Sequence, residues 1–205
     1  MKTNVKKAVR DYLKASGVQH LDKPKQLIAI VESVARIPWG DGRTIEEVLT
    51  TKKVGTCMGK HMLLEACLKE FKIGCKQVVC TFRWGDQSIR YPENLKAILK
   101  EGEWEHGHNF LQIQNTDGDY IDVDVTWNPK MKPYGFRTFP ENWGGRTRYV
   151  GVDNMIRRWD TIDVTDMKKH LIESLNTEVK LRRERFIAGF IKWVDSINQQ
   201  GFNSP

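Results

Sequence analysis

The 205-residue sequence contains nothing close to the roughly 18 consecutive apolar residues that a membrane-spanning helix requires. The opening MKTNVKKAVRDYLK carries positive charge with no apolar run behind it, so a secretory leader is not expected and a cytoplasmic location is. Cysteine is scarce. Cys57, Cys67, Cys75 and Cys80 are too few to staple a chain of this length, and without an export signal they read as reduced thiols, not as a disulfide framework. There is no internal repeat, no low-complexity tract and no Cys-x2-Cys pair, which sets aside solenoids, disordered tails and the common structural zinc patterns. The formal charge of +7, from 33 Lys+Arg against 26 Asp+Glu, permits attraction to nucleic acid or acidic partners without establishing either.

Forty per cent apolar and 29% charged residues describe a chain that can build a sizeable core. Apolar residues at helical spacing predict N-terminal helices over 4–15 and 25–37. Pro38-Trp39-Gly40-Asp41-Gly42 then breaks the chain, and Thr44 with Glu47 looks like a capping box for a short helix over 45–49. The segment from Thr56 or Cys57 to a stop before Gly74 reads as a helix whose buried stripe is Met58, Met62, Leu63, Ala66, Cys67 and Phe71. Beyond Gly74 the pattern becomes strand-like at 76–84, 108–114 and 120–127, the last two forming a hairpin around Asn115-Thr116-Asp117-Gly118-Asp119. Residues 85–104 read as a polar excursion with a short helix over 92–99. Residues 128–160 read as a long ordered loop, and 165–199 as one long or broken amphipathic helix. The expected division is a domain over 1–160 and a helical extension over 161–205 that packs on or flanks it.

Cys57 stands at a helix start, where the macrodipole favours a thiolate. A nearby imidazole can take the thiol proton, and a carboxylate behind the ring can fix its orientation. The hairpin can supply both. If the turn pairs Gln114 with Tyr120, then Asp124 lies diagonally across from His108 on one face, whereas Asp122 lies one step too far along. His106 has the same parity but sits at or beyond the strand start and ranks below His108.

The order of helix-start Cys57, strand His108-Asn109-Phe110 and strand Asp124-Val125-Thr126-Trp127, preceded by IPWGDGRTIEEVLTTKKVGTC, resembles the transglutaminase-like superfamily of papain-type cysteine enzymes over roughly residues 27–130, about half the chain. The resemblance implies an α+β papain-like core with the catalytic helix packed on an antiparallel sheet, flanked by the N-terminal helices and the long C-terminal helix. It implies Cys57 as nucleophile, His108 as general base and acid, and Asp124 as the orienting carboxylate. The chain departs from the commoner pattern in having Phe110 where Trp is frequent, and Met58-Gly59-Lys60-His61 after the nucleophile. The expected reaction is acyl transfer on a peptide or side-chain amide through a Cys57 thioester, with hydrolysis favoured over transamidation.

The Cys57 backbone N–H and the Trp39 indole are candidate oxyanion donors, and Lys60, His61 and His106 are candidate cleft residues. Trp39, Trp104 and Trp143 are candidate groove walls. Cys67, Cys75 and Cys80 take structural readings. No cofactor and no metal are expected: a zinc site from Cys57, His61, His106 and His108 lacks a recognised spacing, and the Gly55 to Lys60 run fails as a phosphate loop because His61 replaces the required Ser or Thr. The competing reading is an inactive scaffold that binds an acidic protein or nucleic acid through Lys180, Arg182, Arg183 and Arg185.

Overall fold

A computed structural model describes residues 3–160 and 163–200, so residues 161–162 and 201–205 of the C-terminal segment lie outside the described residues. The architecture is mixed α+β. Three helices come first: α1 (Thr3–Ala15), α2 (Lys23–Arg36) and α3 (Cys57–Glu70). Asp22 starts α2 by accepting the Lys25 N–H at 3.0 Å, with a proline in the first turn. Thr44 and Glu47 form the expected capping box: the Glu47 N–H donates to Thr44 Oγ1 at 3.2 Å, and the Thr44 N–H to Glu47 Oε2 at 3.1 Å. The helix they initiate is a single wide turn, Glu47–Thr51.

Four antiparallel strands follow, β1 (Cys75–Phe82), β2 (His106–Gln114), β3 (Tyr120–Val123) and β4 (Arg157–Asp160), in the spatial order β3-β2-β1-β4. Between β1 and β2 lies α4 (Glu93–Lys100). After β4 come α5 (Val164–Glu173) and α6 (Thr177–Gln200). The β2–β3 register runs from Gln114↔Tyr120 to Leu111↔Val123, as the turn predicts. The expected strand over 120–127, however, stops pairing with β2 at Val123. Beyond it the backbone turns to the segment around Tyr149, whose carbonyl accepts the Asp124 N–H at 3.0 Å. The 128–160 region is likewise more ordered than a loop, holding the tight helical turns Pro129–Tyr134 and strand β4. The sequence Arg157-Arg158-Trp159-Asp160 has no apolar alternation because it forms a sheet edge, where charge is tolerated. Arg158 clamps Asp122 with two hydrogen bonds, 2.7 and 2.9 Å, reaching across the face of the sheet. The C-terminal pattern is broken into two helices at residues 174–176.

The sheet separates two apolar cores, and the two-residue period of β2 assigns side chains to each. Leu111 and Ile113 pack with Leu27, Val31, Leu64 and Leu68 from α2 and α3. Phe110 joins Val78 and Phe82 of β1, Leu95 of α4 and Phe186 and Phe190 of α6. Helix α3 is buried nearly all round, so the expected single stripe does not describe it: Lys60, His61, Leu63 and Leu64 are all inaccessible, whereas Met62 is 40% exposed. Gly74, expected to close α3, does not. The left-handed residue after the helix is Lys72, at φ 56°, while Gly74 gives room to the Tyr120 hydroxyl, which an added Cβ would meet at 2.6 Å. No described helix is long and apolar enough to cross a membrane.

Phe190 is inaccessible and holds α6 against the sheet, packing edge-on to Trp39 at 5.0 Å and tilted on Trp84 at 4.8 Å. Phe190→Ala is expected to lower the unfolding free energy by about 3–5 kcal/mol, measured by urea denaturation, because the ring leaves a cavity among rigid aromatics.

Candidate active site

Helix α3 begins at Cys57, and the preceding Thr56 caps it by accepting the Gly59 N–H at 3.3 Å. The turn at residues 38–42 is fastened to this start: the Gly55 N–H reaches the Pro38 carbonyl at 3.0 Å, and the Thr56 N–H the Gly42 carbonyl at 2.7 Å. The contact is close enough that a Cβ on Gly59 would lie 2.3 Å from the Gly42 oxygen, so only glycine fits two residues beyond the thiol.

The Cys57 thiol is partly exposed and lies on the wall of a cavity of about 580 Å³, within the size range of small-molecule and peptide sites. Its surroundings are electrically biased. The Lys168 ammonium of α5 donates to Sγ at 3.1 Å and to Asn109 Oδ1 at 2.7 Å. Burial pushes the thiol pKa up, but the Lys168 charge and the adjacent His108 imidazole outweigh it and bring the group down to about 6. The other thiols go the opposite way. Burial raises Cys67 to about 12 and Cys75 to about 11, and it raises Cys80 further still.

His108 enters from β2, its Nε2 bound to Asp124 Oδ2 at 2.6 Å, which leaves Nδ1 for the Cys57 side. Burial alone would strip its proton. The Asp124 carboxylate, and to a lesser degree Cys57, reverse that and raise the imidazole to about 9. Asp124 is inaccessible, and its charge is distributed over further donors: the Gly151 N–H at 2.9 Å on Oδ2 and the Thr126 N–H at 2.9 Å on Oδ1. Burial opposes this ionisation, but His108 and these donors hold the carboxyl well below its ordinary range. Asp122 instead faces Arg158, which occupies both its oxygens.

The remaining candidates separate. Trp39 and His106 line the cavity with Cys57 and His108; Lys60 and His61 do not. His106 is the first residue of β2, at the strand start as expected, and packs against Phe82 and Trp84. His61 lies behind the thiol, its Nε2 accepting the Val125 N–H at 3.1 Å and its Nδ1 donating to the Cys57 carbonyl at 2.7 Å. Burial lowers its pKa to about 4, so both contacts are those of one neutral tautomer. The Lys60 ammonium is also inaccessible. It donates to the carbonyls of Ala35, Ile37 and Thr126 at 3.1, 2.8 and 3.1 Å, tying the end of α2 to the segment that carries Asp124, and burial lowers its pKa to about 7. Trp104 and Trp143 lie in the apolar cores, away from the cavity wall.

A scan against protein-family models gives no match for this chain, and a search of curated proteins gives none. Among the described residues, no group of His, Cys, Asp and Glu side chains is arranged to hold a metal ion.

Lys168 is the site residue that sequence reading missed. It lies on an amphipathic helix among Lys169, His170 and Asp166, in a pattern indistinguishable from a solvated face. Lys168→Met removes the largest influence lowering the Cys57 pKa, so the thiol should titrate clearly above about 6. Ultraviolet absorbance of the thiolate against pH measures this directly, and the neighbouring Lys169→Met should leave the curve in place.

Proposed function

We propose that the protein is a cysteine-dependent enzyme of amide acyl transfer, built on a papain-like core that resembles the transglutaminase-like superfamily, with Cys57 as nucleophile, His108 as general acid and base, and Asp124 as the orienting carboxylate. The observation that carries this reading is the selective lowering of one thiol of four, at a helix start beside an imidazole whose far nitrogen is fixed by a buried carboxylate 2.6 Å away. Between pH values of about 6 and about 9 the favoured pair is thiolate and imidazolium.

In the first half-reaction the Cys57 sulfur attacks the amide carbonyl carbon. The resulting oxyanion is held by the Cys57 backbone N–H, which as the first of the helix has no partner within it, and by the Lys168 ammonium. Lys168 thus takes the second-donor role that the sequence alone assigned to Trp39. Collapse of this intermediate breaks the carbon–nitrogen bond as His108 gives its proton to the departing amine, leaving a thioester. Water then attacks the thioester with His108 taking its proton, the carbon–sulfur bond breaks, and the Cys57 thiolate and acid product leave. A primary amine in place of water gives transamidation, but nothing around Cys57 favours an amine acceptor, so hydrolysis is the proposed outcome. Four free thiols fit a reducing, cytoplasmic setting.

The competing scaffold reading needs a free basic surface on α6, and most of that charge is already engaged. Arg182 pairs with Glu178 and Glu101, Arg185 pairs with Glu101, and Lys180 donates to the Glu173 carbonyl at 3.1 Å.

Iodoacetamide at low concentration, followed by peptide mapping, should modify Cys57 well ahead of Cys67, Cys75 and Cys80; equal or absent labelling at Cys57 counts against the mechanism. With a peptide-amide library read by mass, activity should rise with pH through about 6 as the thiol ionises and fall through about 9 as His108 loses its proton. Asp124→Asn should retain the thiol yet lose about 100-fold or more in kcat/KM, the usual scale of a positioned acid–base group.

A further inference from the structure

Part of the cavity wall does not take part in the proposed chemistry. Its acidic members are each matched by a cation: Asp41 by Arg43 at 3.0 Å, Glu105 by Arg157, and Glu173 by Lys169 at 3.8 Å. Arg183 of α6 is the exception among the cations. It is half-buried on the same wall and forms no ion pair or hydrogen bond with any described residue. Burial and the like charge of Arg43 act against its guanidinium and outweigh the favourable charge of the neighbouring Glu184, so the cavity wall carries a cation that is poorly compensated. Close by, His106 also faces the cavity, and its Nδ1 is buried without a partner among the described residues. Burial and the charges of Arg183 and Lys168 keep that ring neutral, which leaves one ring N–H able to donate.

Among the described residues, neither the Arg183 guanidinium nor His106 Nδ1 has a hydrogen-bond partner, and the cationic member of the pair calls for an anionic acceptor. Next to them the cavity is aliphatic. Leu171 and Ile172 of α5 face it, as do Ile187 and Ile191 of α6, and Ile172 remains 37% exposed. A guanidinium offers paired donors in the spacing of a carboxylate's two oxygens.

We infer that the cavity selects an amide substrate bearing a carboxylate, held by Arg183 with His106 beside it, whose apolar portion lies along Leu171, Ile187 and Ile191. This inference names the substrate class for the acyl-transfer site and rests on that reading. The carboxylate fixes the substrate's register along the cavity and presents its amide to Cys57, while Lys168, bonded to Cys57 Sγ and Asn109, keeps a third ammonium proton for the developing oxyanion. An uncharged amide of the same shape gains the apolar contact alone.

The test uses the full chain and an isosteric pair of probes, phenylpropionate and phenylpropionamide, with binding followed by calorimetry. The wild type is expected to bind the acid at least about tenfold more tightly than the amide, the scale of one charge-assisted hydrogen-bonded pair. Arg183→Met should remove that preference and Arg183→Lys should retain part of it. Arg185→Met, which alters an exposed cation of the same helix already paired with Glu101, should leave it unchanged. Equal binding of acid and amide by the wild type, no binding of the acid, or an undiminished preference in a folded Arg183→Met protein overturns the inference. Since calorimetry does not require a reactive thiol, failure of the acyl-transfer reading appears separately, as absence of selective Cys57 alkylation in the same preparations.

Discussion

The Asp124 carboxylate is the constraint around which this site is organised. An inaccessible negative charge is costly unless its lone pairs are met, and here they are met by an imidazole and two backbone N–H groups drawn from different parts of the chain. Each partner fixes a piece of geometry. Bonding from Thr126 holds the segment beyond β3 after it leaves the sheet. Gly151 brings in the 149–151 segment, whose backbone carries the strand onward where β2 no longer pairs with it. His108 has its far nitrogen committed, so its near one is presented at a set angle.

A second buried layer supports this arrangement from behind α3. His61 and Lys60 lie close to Cys57 in sequence, and periodicity suggested that they face a cleft or water. They do neither, because both project from α3 toward the core while Met62, between them and the next turn, takes the exposed side. Lys60 uses all three ammonium protons on carbonyls from α2 and from Thr126. His61 bridges the Cys57 carbonyl and the Val125 N–H. These two side chains bind the helix that carries the sulfur to the segment that carries the carboxylate, so the spacing of Cys57 and Asp124 is set by polar contacts deep in the core.

The parts of the fold legible from sequence were those set by local chemistry. The Asn115 to Asp119 turn specified the hairpin register, and the register singled out Asp124 over Asp122. Thr44 with Glu47 marked one helix start, and the apolar spacing placed another at Thr56 or Cys57. What could not be read depended on long-range contacts. Strand β4 has four residues, three of them charged, and is a strand only because β1 offers an open edge. Lys168 looks like any solvated lysine until α5 is laid across the cavity. Buried cations such as Lys60 are invisible to a reading that assigns charge to the surface, since their compensation comes from carbonyls distant in sequence.

The position of Lys168 has a consequence for the order in which the site matures. Cys57, His108 and Asp124 all precede residue 125, whereas the cation that most strongly lowers the thiol pKa lies more than forty residues later, on α5. A chain ending before α5 therefore carries Cys57, His108 and Asp124 but lacks the charge that most strongly lowers the thiol pKa. Docking of α5 supplies the Lys168 charge and the Leu171 and Ile172 wall of the cavity in a single event. The lowered thiol pKa and this part of the cavity wall thus depend on one helix, and a molecule with α5 undocked carries a thiol closer in character to an ordinary cysteine.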